Sequence, residues 1–183
     1  MSIYKVSASL TAQGIKHTVI AASEEEIYMS RWLVLLATVE DATKAVHRLH
    51  WNVRGHSFMS QHASYFQPLY EYLFELTDKC GEKVKQLDHE KDVPFSMSTM
   101  SDLGKSYTEF KQETKYTNRI DRYLSYTNYM LGKIRFLMLA LSKLDTESNL
   151  NDLGGQNFLS GQVELLDAWI WKAKASIQEN MHD

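Results

Sequence analysis

The sequence predicts an all-α protein, a four-helix bundle in which two helical hairpins are joined by one long crossover. Three observations carry this. Apolar residues recur every three or four positions in four long stretches. Only two prolines and eight glycines interrupt 183 residues. The connections between the stretches run short, long, short along the chain. A chain of this length buries a substantial core without staples. The lone Cys80 excludes an intrachain disulfide framework and fits a reducing, cytoplasmic setting. No stretch approaches the ~18 apolar residues of a membrane span, and nothing near Met1 reads as a signal peptide.

Residues 1–22 form an extension, and 23–183 form one bundle domain. In the extension, Tyr4, Val6, Ala8 and Leu10 alternate with polar residues, Gln13-Gly14 reads as a turn, and Ile15, His17, Val19 and Ala21 alternate again. A small β-hairpin and a disordered arm both fit. Ser23 with Glu26 three residues on is a capping box, and Glu24 to Glu26 complement the dipole of the helix they open. That first helix carries Trp32, Leu35, Leu36, Val39, Ala42, Val46 and Leu49 on one stripe and ends near Trp51. Gly55 lies in the short connection that follows, so the next helix must turn back. The second helix spans about Phe58 to Leu87, with Pro68 inside it as a source of a kink or bulge. Glu90 to Thr117 is the crossover. A helix of about 28 residues is about 42 Å long, which an extended linker of similar residue count easily covers. A short extra helix is expected at Met100 to Tyr107. The third helix carries Ile120 to Leu141 and the fourth Leu159 to Met181, with an Asn, Asp and Gly-rich turn at Asp145 to Gly155 between them. Two hairpins joined by a single crossover are the ferritin-like arrangement of such a bundle.

Within this frame the stretch His50-Trp51-Asn52-Val53-Arg54-Gly55, with His62 twelve residues after His50, stands out. Together with Phe58, Met100-Ser101-Asp102-Leu103 and Leu166-Asp167-Ala168-Trp169, it resembles the Dps family of mini-ferritins over roughly residues 24 to 181. The resemblance implies a homo-oligomeric shell of twelve subunits built from two-fold dimers. It also implies ferrous iron bound between two-fold-related subunits, oxidised by peroxide or oxygen, and stored as ferric mineral. Imidazole and carboxylate ligands with open positions suit ferrous iron.

The family pattern places an acid four residues after the second histidine, and Asp and Glu eleven and fifteen residues beyond that acid. His50 and His62 match, but those three positions hold Phe66, Thr77 and Gly81. Asp78 and Glu82 preserve the spacing one residue late, about 100° around an ideal helix. A one-residue bulge near Pro68 would bring them back into phase, whereas the unbroken apolar spacing from Phe66 to Leu87 argues against one. The metal ligands expected from the resemblance are therefore His50, His62, Asp78 and Glu82, with iron as the metal and ferroxidase as the activity. A shell whose oxidation centre has decayed is the alternative. DNA compaction is disfavoured: the net charge is -3, Lys5 and Lys16 are the extension's only cations, and an acidic run follows them.

Overall fold

The computed structural model describes residues 4–11, 14–56, 58–113, 115–116 and 118–177. The expected turn residue Gln13 and the terminal Met181 and His182 lie outside them. In the extension, β1 (Tyr4–Thr11) and β2 (Gly14–Ala21) pair antiparallel, with Tyr4 opposite Ala21 and Thr11 opposite Gly14.

Helix α1 (Glu24–Asn52) starts as its sequence dictates: the Glu26 amide donates to the Ser23 hydroxyl, and the Ser23 amide donates back to the Glu26 carboxylate. Its apolar stripe is buried, with Trp32, Leu35, Val39, Ala42 and Val46 fully excluded from solvent. The chain then bends through Val53 to His56, where Gly55 takes a φ of 88°, a left-handed conformation that glycine adopts without steric cost.

The second helix is irregular, as the proline inside it leads one to expect, but the irregularity is longer than a single bulge. Residues Phe58–Phe66 are wound as a π-helix, and only from Gln67 does the regular α2 (Gln67–Leu87) begin. Pro68 sits in the first turn of α2, where it can give no hydrogen bond to the preceding turn. The winding changes where that ladder has its gap. From Phe66 onward the stripe Phe66, Leu69, Leu73, Leu76, Cys80, Val84 is unbroken and buried, as its spacing predicts. The irregularity lies upstream of Phe66, where no apolar repeat reports it.

The crossover also departs from expectation. Ser98–Met100 form a single 3-10 turn, and the short helix α3 lies later, at Tyr107–Glu113. Gly104 at φ 71° breaks the chain direction before it, and Ser106 and Glu109 exchange hydrogen bonds at its start. The strap is pinned to the bundle where the Asp102 amide donates to Thr38 and the Tyr126 hydroxyl donates to the Lys105 carbonyl.

Helices α4 (Arg119–Ser148) and α5 (Leu153–Ser176) complete the bundle. The turn between them is shorter than its sequence suggests, because α4 continues past Asp145 and stops only at Asn149, whose φ of 51° is left-handed. Helix α1 packs against α2 and α4, and α4 against α5. Cys80 is buried in the shared core, where burial pushes its thiol up to about 12, so it is an inert core residue. Among the described residues no helix is long and apolar enough to cross a membrane.

Candidate metal site at the α1 bend

The last turn of α1 and the π-helix meet at one end of the bundle, and there the two histidines singled out by sequence come together. The rings of His50 and His62 stand 3.7 Å apart between centroids. The Nδ1 atom of His50 lies 3.2 Å from the backbone carbonyl oxygen of His62. A carbonyl only accepts, so this contact places the ring proton on Nδ1 and leaves Nε2 with its lone pair. That is the arrangement in which a histidine serves as a ligand while a backbone oxygen fixes its tautomer.

His50 is 7% exposed. Burial lowers its pKa below the ordinary histidine value, and the neighbouring His62 adds to the effect. It is therefore neutral at neutral pH, as ligation requires. On its other side, Phe58 stacks on His62 at 4.4 Å.

A third imidazole that the sequence reading passed over belongs to the same cluster. His47, one helical turn before His50, lies between Trp51 and Tyr70, its ring tilted against each at 4.3 Å between centroids. The signal was legible in the spacing of three between His47 and His50, which puts both on one helix face.

Asp78 and Glu82 are not gathered with these histidines. Both are exposed on α2 and border a groove of about 940 Å³ between α1, α2 and the start of the crossover. Thr43, His47 and Thr77 line the same groove, and Thr43 and Thr77 share a hydrogen bond across it at 3.3 Å. Phe74, 70% exposed, also borders it. Of the other family positions, Gly81 borders this groove too, and Phe66 is sealed in the core edge-on to Tyr65 and Tyr123. Among the described residues no three His, Cys, Asp or Glu side chains are gathered closely enough to hold a metal ion. The histidines thus present a half-site, with two imidazoles converging and the carboxylates elsewhere.

Solved structures share this architecture closely. A Dps protein from Vibrio cholerae O1, described as a member of a broad superfamily of ferritin-like diiron-carboxylate proteins, superposes with a TM-score of 0.70 at 16% identity, over 92% of this chain and 96% of its own. The chain has the Dps fold. An archaeal Dps homologue from Halobacterium salinarum matches with a TM-score of 0.70 at 18% identity, over 90% of this chain and 86% of its own. The Dps protein from Bacillus brevis matches with a TM-score of 0.69 at 15% identity, over 87% of this chain and the whole of its own. No family model matches the sequence, and no curated protein matches it. The Dps fold is therefore kept here at a level of identity where side chains have largely been exchanged, and the chemistry has to be argued from this chain's own residues.

Proposed function

We propose that this protein is a Dps-like mini-ferritin subunit that takes up ferrous iron at the His50–His62 half-site and assembles into a homo-oligomeric shell from two-fold pairs. The observation that carries this reading is the histidine pair itself: His50, neutral and held by the His62 carbonyl, offers Nε2 beside the ring of His62. Two imidazoles are too few ligands to hold a divalent ion tightly, so a second copy is needed to supply carboxylates. Asp78 and Glu82 are the acids available for that role, since both are exposed on the groove between α1 and α2. Exposed Phe74 and Phe95 beside them give the same groove an apolar surface for a second copy to cover.

Iron enters as the substrate. His50 and His62 bind and orient it, the partner's carboxylates balance its charge, Phe58 covers one face of His62, and Tyr70 packs against His50 in a T-shaped contact. The decayed-shell reading draws on Phe66, whose complete burial removes that position from any metal site. Light scattering should show a multimer well above the dimer. Anaerobic addition of ferrous iron followed by oxidant should give faster oxidant consumption than buffer. His50→Ala should abolish the difference while leaving the multimer intact. An intact multimer in which wild type and His50→Ala consume oxidant equally would favour the decayed shell.

A further inference from the structure

A cleft lined by α1, α4 and the later part of the strap has neither His50 nor His62 in its walls. It consists of two chambers, of about 500 Å³ and about 320 Å³, that share Ala45, Arg48, Ser106 and Tyr126. Two hydrogen bonds fix the strap beside it. The Asp102 amide donates to Thr38 at 2.9 Å, and the Tyr126 hydroxyl donates to the Lys105 carbonyl at 3.0 Å. The cleft is thus formed in advance of any guest, as small-molecule sites usually are.

The chambers differ in chemistry. The smaller is aromatic: Tyr107, Tyr123 and Tyr126 line it, with Tyr107 edge-on to the other two at 5.4 Å and 5.5 Å between centroids. Rings set at steep angles to one another offer both faces and edges to a flat aromatic guest. Among the described residues no acid lines this chamber, and its one cation is Arg48. The larger chamber is charged, with Lys44, Lys105 and Asp41 in its wall beside Arg48. Both lysines are already engaged, Lys44 with Glu40 and Lys105 with Glu113, each at 2.5 Å. Among the described residues nothing pairs with the Arg48 guanidinium, and Asp41 stands about 10 Å before it along the helix. Its fork of N–H donors is therefore free to grip one carboxylate side-on. Asp41, Glu40 and Glu113 oppose a guest of higher negative charge. We propose that this cleft binds a small planar aromatic monocarboxylate, with the carboxylate on Arg48 and the ring in the tyrosine-lined chamber.

Calorimetric titration of the assembled full-length chain with benzoate, in the absence of metal, tests this. Benzoate should bind at one site per subunit, and more tightly than cyclohexanecarboxylate, which has the charge without the aromatic ring, or phenyl phosphate, which has the ring and a larger charge. Arg48→Gln should weaken benzoate binding by about tenfold. Ala45→Leu, which fills the smaller chamber and changes no charge, should abolish it. Melting curves and light scattering check that each variant is folded and assembled. Arg48 is exposed, so its variant decides even if Ala45→Leu fails to fold. The inference is overturned if wild type binds no benzoate, or if a folded Arg48→Gln or Ala45→Leu binds it as tightly as wild type. It is overturned equally if cyclohexanecarboxylate or phenyl phosphate matches benzoate in affinity.

Discussion

The two ends of α1 treat polar groups in opposite ways. Near its start, Tyr28 donates to Asp152 at 3.0 Å, Lys83 pairs with the same carboxylate at 2.7 Å, and the Gly155 amide donates to it at 2.9 Å. The Asp152 amide in turn donates to Asp145, whose second oxygen accepts from Gln156 at 2.7 Å. Each of these carboxylates is matched by donors, and the network ties α1, α2, α4 and α5 together. At the other end, about 33 Å from Tyr28 by helix rise, three imidazoles lie among aromatic rings, with one backbone contact fixing His50. Trp51 and Met59 stand exposed beside them. A network whose bonding capacity is used internally locks a fold. A cluster that keeps a lone pair free can bind something.

The largest effect should come from breaking the locked end. Lys83→Met leaves the half-buried Asp152 without its cation and should cost about 3 kcal/mol in chemical denaturation, with no change in metal affinity. Acid should act on the same group. Burial pushes the Asp152 pKa up, but the hydrogen bonds from Lys83, Gly155 and Tyr28 outweigh it and hold the group below the ordinary carboxylate value. Its contribution is therefore complete above a pH of about 4, the unfolded value, and is lost as pH falls through the lower folded value. In denaturant titrations from pH 6 to pH 2, wild type should lose more stability than Lys83→Met. Parallel curves would show that the pair does not set the acid response.

Next in size is the binding end. His50→Ala should weaken Zn²⁺ or Fe²⁺ binding by about 100-fold. Its melting temperature should fall far less than that of Lys83→Met, because the histidine cluster is not what holds the helices. A comparable loss of stability in both variants would erase the contrast between the two ends.

Gly155→Ala probes the locked end by volume. A methyl group there would collide with the Asp152 carboxylate that caps α5, and the rearrangement should cost about 2 kcal/mol. The smallest effect is expected at Ser23→Ala. It removes one half of the capping box that opens α1, worth about 1 kcal/mol in thermal melts.

Much of this was legible in the sequence. The capping box at Ser23 and Glu26, the stripe from Trp32 to Leu49 and the bend at Gly55 depend on residues close in the chain, and each appears where its spacing places it. The pairing of His50 with His62 was legible for the same reason, since a short connection between antiparallel helices leaves few places for residues twelve apart. Other features were misplaced. The crossover helix falls at Tyr107–Glu113 because Gly104 and the Ser106–Glu109 cap outweigh the weaker helical pattern before them. The α4–α5 turn is short because helix packing extends α4 to Ser148.

By itself the sequence determined the bundle, its order of connections and the histidine bend, because helix periodicity and local stops are properties of neighbouring residues. Only the tertiary structure decided how the second helix is wound, that His47 joins the histidine cluster, and that Phe66 is core while Asp78 and Glu82 are surface. The change from π to α winding falls beside Pro68, which the sequence marks as a source of irregularity, but no apolar repeat records that the whole of Phe58–Phe66 is wound as π.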